Sequence, residues 1–247
     1  MDGPDAETWH CLLRRSPADA DLSPLYGPLL TDNPLVLGRI AQSLDGRIAT
    51  TSGASHWISG PQDIAHTHRL RALFDAVVVG AGTVRADDPL LTTRAVEGPS
   101  PVRVVLDPRR RLDARYQLFQ EGPETLLLCA EGTPGADRLG QAHVLEVQQS
   151  GGEICPRAVL ATLAARGLRR IFVEGGGITV SRFLAAGVLD RLHVTIAPLV
   201  LGSGIPAFTL PPARLPDSLR FDWTVHRIGN DVLMDIPLVR SCRAGPV

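Results

Sequence analysis

The residues best placed to do chemistry lie in two glycine-rich turns, each directly behind a short apolar run. One is Asp75-Ala-Val-Val-Val-Gly80-Ala-Gly82-Thr83 and the other is Arg170-Ile-Phe-Val-Glu174-Gly175-Gly176-Gly177. A β-branched run ending in glycine reads as a buried strand whose backbone then comes close to something, because glycine has no Cβ. The second turn leads into Ile178 to Gly187, which has a helical apolar pattern. Exposed N–H groups and the helix dipole favour an anion over Gly175, Gly176, Gly177, Ile178 and Thr179. Two such turns suit a ligand with more than one phosphate, such as a dinucleotide. Other candidates read more blandly. Asp45 belongs to an Asp-Gly turn pair. His66 and His68 are two apart on a predicted helix, so they face different sides, and no metal site is expected.

The elements that must position these turns alternate early in the chain. Strands are expected over 34–41, 75–80, 102–107, 124–129 and 170–174, with a short edge strand over 143–147. Helices are expected from Pro61, a favourable first helical position, to about Leu73, and over 156–166 and 178–187. The stretch 85–101, rich in Pro and Asp, reads as a loop. A long β run over 190–201 contains Pro198, and two further runs flank Gly229-Asn230-Asp231 as a hairpin. The pattern predicts a mixed α/β sheet ending in an antiparallel hairpin. Residues 1–33, which include Trp9, read as an N-terminal extension packed on a single domain of residues 34–247.

Composition excludes several functions. The chain has 247 residues, enough for one sizeable domain, and 44% hydrophobic content argues against disorder. Its net charge of −1, from 25 basic and 26 acidic residues, gives no pull toward nucleic acid or an anionic membrane. All 25 are arginines; without a lysine there is no Schiff-base chemistry and no Walker A phosphate site. Cys11, Cys129, Cys155 and Cys242 form no Cys-x-x-Cys pair, and the N-terminus has no basic-then-apolar leader pattern. A cytoplasmic protein with isolated thiols is the expectation. No apolar stretch is long enough for a membrane span.

A Rossmann dinucleotide site is the obvious rival, with Gly80-Ala-Gly82 behind a strand and Asp107 ending the next. Arg85 occupies the third glycine position, and Asp88-Pro89 with Gly98-Pro99-Ser100-Pro101 leaves no room for the crossover helix that holds the pyrophosphate.

Four blocks in order and spacing carry a family resemblance. They are Ala41-Gln-Ser43-Leu-Asp45-Gly46-Arg-Ile-Ala49; Ser55-His-Trp57-Ile58-Ser59 with Arg69-Leu-Arg71; the first glycine turn continuing through Asp87-Asp88-Pro89-Leu-Leu91-Thr-Thr-Arg94; and Val173-Glu174-Gly-Gly-Gly177 with Ala197-Pro198-Leu-Val-Leu-Gly202. Over roughly residues 34–239 the chain resembles the reductase domain of riboflavin biosynthesis, the C-terminal half of the bifunctional pyrimidine deaminase–reductase, here in standalone form. The zinc deaminase half has no counterpart, since His-x-Glu and Pro-Cys-x-x-Cys are missing.

The resemblance implies a dihydrofolate-reductase-like α/β fold: a mixed sheet, mostly parallel, with helices on both faces. It implies a homodimer and NADPH-dependent reduction of 5-amino-6-(5-phosphoribosylamino)uracil to the ribitylamino product, by hydride transfer to the open-chain imine at C1′. It assigns substrate contacts to Arg39, Ser55, Arg71, Leu91, Arg94 and Glu174, with Arg71 and Arg94 suited to the 5′-phosphate. It assigns cofactor contacts to Ala41, Trp57, Thr83, Asp87 and the segment Gly176 to Arg182, and the anion reading of the turn adds Gly175 to this set, which centres on Gly175 to Thr179. Glu174 and Asp45 are the candidate catalytic carboxylates, Asp45 positioning a proton donor for the imine nitrogen. Arg109 to Arg111 are candidates for a 2′-phosphate. One position departs: the family usually has lysine where this chain has Arg39. A reductase of this fold acting on a dihydropterin, and a nucleotide-binding protein without turnover, are the alternative readings.

Overall fold

Leucine and β-branched runs with period-two alternation build the centre of the molecule. The computed structural model describes residues 3–55, 58–212 and 214–238. In chain order these form α1 (Ala6–Leu13), β1 (Leu35–Ser43), β2 (Arg47–Thr50), α2 (Pro61–Leu73), β3 (Ala76–Gly80), α3 (Ala81–Asp87), β4 (Val102–Leu106), β5 (Thr125–Ala130), β6 (Arg138–Leu139) and β7 (Ala142–Val147). There follow β8 (Gln149–Ser150), β9 (Glu153–Ile154), α4 (Pro156–Ala164), β10 (Arg170–Glu174), α5 (Gly177–Ala185), β11 (Arg191–Ala197), β12 (Gly204–Pro206), β13 (Thr224–Ile228) and β14 (Asp231–Pro237).

Ten strands form one sheet in the order β13-β14-β11-β1-β10-β3-β4-β5-β7-β6. Strands β11 through β7 in that order are parallel to their neighbours. The β13–β14 hairpin at one edge and β6 at the other run antiparallel. The expected mixed sheet, mostly parallel with a C-terminal hairpin, is borne out. A separate ribbon pairs β12 with β2.

Alternation sorts the side chains into two layers. Leu35, Leu37, Phe172, Val77 and Val79 meet Leu70 and Leu73 of α2 on one face. Val36, Ile40, Ile171, Val173 and Val78 meet Val159 and Leu163 of α4 and Val180 and Phe183 of α5 on the other. Helices therefore cover both faces, as expected of buried parallel strands. The segment before β1 joins the first layer through Trp9, Leu12, Tyr26 and Leu29. The buried Arg170 guanidinium at the foot of β10 donates to the carbonyls of Leu73, Leu29 and Thr31 at 3.0, 2.6 and 3.1 Å.

Three expectations are corrected. The first glycine turn continues as the short helix α3, so the 85–101 loop begins only at Asp88, whose left-handed conformation (φ 39°) ends that helix. The long run over 190–201 stops at Ala197, because Pro198 has no N–H for the ladder. The 143–147 strand is covered by β6 and is not the edge. Asp107, the rival ribose acid, is buried and accepts the Leu112 N–H at 2.8 Å, which caps a turn.

Candidate active site

The carboxyl ends of the parallel strands open into a cleft of about 840 Å³, the position where open α/β sheets bind ligands. One wall is backbone. Strand β3 ends at Gly80 and α3 starts immediately; β10 ends at Glu174 and α5 starts at Gly177. Gly175 and Gly176 take φ of +71° and +38°, which favours glycine. A Cβ on Gly176 would lie 2.8 Å from Thr83 Oγ1, and one on Gly80 would lie 2.6 Å from Thr179 Oγ1. At Gly177 a Cβ would meet the carbonyls of Ala207 and Pro206 at 2.5 and 2.7 Å. The two turns thus interlock through their threonines, and the protein's own packing demands Gly80 and Gly177. Gly82 has nothing close to where its Cβ would be, and it lines the cleft. The α5 N-terminus has no acidic residue in its first turn, so its N–H groups present positive potential to the cleft. Exposed Ile64, Ile178 and Ile205 form apolar lips.

The opposite wall is made of paired charges. Because β1 alternates Leu35, Leu37, Arg39, the arginine continues the α2-facing row where the core gives way to the cleft. Arg39 is in register with Glu174 of β10 on one side and His193 of β11 on the other. From α2, Arg71 reaches Glu174, its Nε donating to Oε2 at 2.8 Å and its Nη2 to Oε1 at 2.5 Å. Its Nη1 donates to the Thr92 carbonyl at 3.0 Å. Also from α2, Asp63 accepts a hydrogen bond from Arg39 Nη2 and another from Thr195 Oγ1 at 2.8 Å. The polarity is crossed: a sheet carboxylate with a helix arginine, and a sheet arginine with a helix carboxylate.

Titration follows from these pairs. Burial pushes the Glu174 carboxyl up, but Arg71, with Arg39 and His68 behind it, outweighs burial and the net shift is downward. Burial likewise opposes ionisation of Asp63, yet Arg39 holds it at about 2. His68, on α2, is pushed down to about 4 by burial and then by Arg71 and Arg94, and its Nδ1 accepts the Arg94 N–H at 3.1 Å. His66 lies on the other side of α2, its Nδ1 paired with the Tyr26 hydroxyl at 2.9 Å and its Nε2 with His193 Nδ1 at 3.2 Å.

Most of the residues named from sequence meet here. Arg39, Ala41, Ser55, Thr83, Asp87, Leu91, Glu174 and Gly175 to Thr179 all line the cleft. Ser55 Oγ donates to Asp87 Oδ1 at 3.1 Å, which joins the loop before α2 to the end of α3. Leu91 is buried in a left-handed conformation, φ 55°, costing about 1–3 kcal/mol of backbone strain for a branched residue. Trp57 falls outside the described residues.

Four expectations shift. Arg71 does not line the cleft, because Glu174 and Thr92 take its whole fork. Arg94 is exposed beside the Leu91 end, and only its backbone N–H bonds to His68. Asp45 does not line the cleft either. Its carboxylate accepts from Ser43 Oγ at 2.6 Å and from the N–H groups of Leu201 and Gly202 at 3.0 and 2.7 Å. These bonds, Ser43 first, hold it at about 2 and pin the loop that leads to β12. Arg109 to Arg111 stand outside the cleft, where the basic lining residues are Arg39, Arg85 and Arg182. His68 was weighed from sequence only as half of a dismissed metal pair with His66, and Asp63 and Thr195 were not singled out. Of these last two, only Asp63 left a trace there, as an acidic residue in the first turn of a helix.

The fold and the cleft define an α/β domain with a ligand cleft at the carboxyl ends of its parallel strands. The chain belongs to the RibD C-terminal domain family, whose model matches residues 34–234. It is 32% identical to the 2,5-diamino-6-ribosylamino-4(3H)-pyrimidinone 5′-phosphate reductase of Methanothermobacter thermautotrophicus, covering 82% of this chain and 97% of that protein. It is also 32% identical to the riboflavin biosynthesis protein RibD of Aquifex aeolicus, covering 82% of this chain but 57% of that protein. The solved structure of Acinetobacter baumannii RibD superposes with a TM-score of 0.74 at 28% identity, over 90% of this chain and 63% of the other. The chain thus spans little more than half of these RibD proteins and nearly all of the archaeal reductase. A reductase of this pathway takes a nicotinamide cofactor. No helix among the described residues is long and apolar enough to cross a membrane.

Proposed function

We propose that this chain uses NADPH to reduce 5-amino-6-(5-phosphoribosylamino)uracil to its ribitylamino product, or the related 2,5-diaminopyrimidinone that names its archaeal relative. The observation that carries the reading is the placement of Glu174. Its side chain is 14% exposed, on the cleft, it is held ionised by Arg71, and it lies directly before the glycine turn on the cleft floor.

NADPH, when bound, supplies the hydride. The N–H groups at the start of α5 and the Gly80 to Thr83 turn cradle its phosphates, and the isoleucine lips cover its apolar faces. Arg182, paired with Glu153 at 2.7 Å on the cleft rim, and Arg85 are the basic residues available for a 2′-phosphate. Glu174 keeps lone pairs beyond those given to Arg71, so it accepts from substrate hydroxyl or amine groups and does not act as an acid. Arg94, beside Leu91, takes the 5′-phosphate; Arg71 serves the substrate through Glu174. Asp45 fixes the ribbon over the cleft. The chain's contribution is orientation and charge matching, with the hard chemistry left to the cofactor.

A homodimer would use the β13 edge, where Val225 and the preceding Trp223 are exposed. The unpaired thiols Cys11, Cys129 and Cys155 suit a reducing compartment such as the cytoplasm. The decisive experiment follows NADPH absorbance with the phosphoribosyl substrate and, separately, with dihydrofolate. Oxidation with the first alone is expected. Silence with the phosphoribosyl substrate would sink the proposal.

A further inference from the structure

Arg39 sits between Glu174 of β10 and His193 of β11 where the core gives way to the cleft, and its surroundings give the choice of arginine over lysine a physical meaning. Lysine is a mobile point charge with rotatable donors, whereas arginine is a planar fork whose direction can be fixed by one carboxylate. Two carboxylates are near enough to take it. Glu174 is its cross-strand neighbour, but both Glu174 oxygens are bound by Arg71. Asp63 takes the Arg39 Nη2 instead, and Thr195 Oγ1 holds the second Asp63 oxygen at 2.8 Å. Thr195 is itself in register with Ala41, two residues along β1 from Arg39. The guanidinium is therefore gripped from helix and sheet at once. Its Nε has no hydrogen-bond partner, and the side chain is 9% exposed, on the cleft. The exposed edge of the fork, rather than the sealed Nε, is what a ligand oxygen can reach.

We propose that Asp63, oriented by Thr195, is a positioning residue that aims the uncommitted donors of Arg39 at an uncharged oxygen of the substrate, a ribosyl hydroxyl or a pyrimidine carbonyl. The inference rests on the reductase reading above and names a specificity element of that same site. The pairing neutralises the arginine, so this part of the floor does not serve the 5′-phosphate: an anion there would compete with Asp63 for the same fork. A free lysine would accept either kind of oxygen. The Arg39–Asp63 pair narrows the choice, because a fixed fork rewards an acceptor at one place and direction.

The test compares wild type with Thr195→Val, Arg39→Lys and the double variant Arg39→Lys/Asp63→Asn. Thr195→Val keeps volume and charge and removes only the bond that aims Asp63, so it remains informative if Asp63→Asn alone fails to fold. Readouts are kcat and KM for the phosphoribosyl substrate, calorimetric affinity for the ribitylamino product, and NADPH affinity by fluorescence. Thr195→Val is expected to raise substrate KM about threefold, with product affinity falling in step. Arg39→Lys should raise KM about tenfold, because Asp63 draws the ammonium away from the cleft. Removing that carboxylate in the double variant should bring KM back to within about threefold of wild type. NADPH affinity should stay constant throughout. Unchanged KM in Thr195→Val and Arg39→Lys would overturn the inference, as would a double variant no better than Arg39→Lys, or NADPH affinity falling together with substrate affinity. Absence of turnover in the wild type would instead overturn the reductase reading, and this inference with it.

Discussion

The two walls of the cleft solve the same problem with different materials. The glycine wall holds its ligand with backbone: a side chain at Gly80, Gly176 or Gly177 would run into Thr179, Thr83 or the Ala207 carbonyl. The α2 wall holds its ligand with two crossed ion pairs, Arg71–Glu174 and Arg39–Asp63, both largely buried. Backbone presents the same N–H groups whatever the side chains are, which suits a cofactor common to many reactions. Paired side chains can be retuned one at a time, which suits a substrate that differs between enzymes.

The difference predicts where damage should appear. Glu174→Gln is expected to have the largest effect, costing about 3–5 kcal/mol of stability because it leaves Arg71 buried without an anion. Chemical denaturation would measure it, and substrate turnover should fall with it. Gly177→Val should weaken NADPH binding about a hundredfold, the equivalent of ~3 kcal/mol, since its side chain would collide with backbone. Fluorescence titration would read that loss. If Gly177→Val harmed substrate binding as much as cofactor binding, the division between the walls would fail.

Acid should loosen the α2 wall selectively. His68 has its folded value depressed to about 4 against an ordinary 6.5, so its stabilising effect is full above 6.5 and drains away as pH falls toward 4. Buried His66, His193 and His226 are shifted in the same direction, burial being the first cause for each. Asp63 and Asp235, both at about 2, keep their charge through this window. Thermal melts across it should show falling stability, and His68→Gln should flatten the slope. Asp45→Asn should do least: kcat within about twofold of wild type, because the side chain stays outside the cleft, with a small drop in melting temperature from the loosened 199–202 loop.

The same division explains what could be read from sequence. The glycine wall was legible because local rules produce it: an apolar run, then glycine, then helical periodicity. Strand alternation and the hairpin at Gly229 were legible for the same reason. The α2 wall was hidden. Asp63 and Thr195 are 132 positions apart, and nothing local couples them until β11 is laid beside β1. Arg71 was visible as a cation, but the sequence alone did not reveal that Glu174 already held its fork. Asp45 illustrates the converse. Its Asp-Gly signal pointed to a turn, and a turn is what it stabilises.

Arg170 has a further consequence. The family match begins at residue 34, yet this guanidinium, 7% exposed, spends two of its three nitrogens on carbonyls that precede it. A shortened version beginning at residue 34 would strand that cation at the foot of the central sheet and bare the floor on which Trp9, Leu12 and Leu29 rest. The stretch that the family model matches and the unit that can stand alone in water therefore have different starting points.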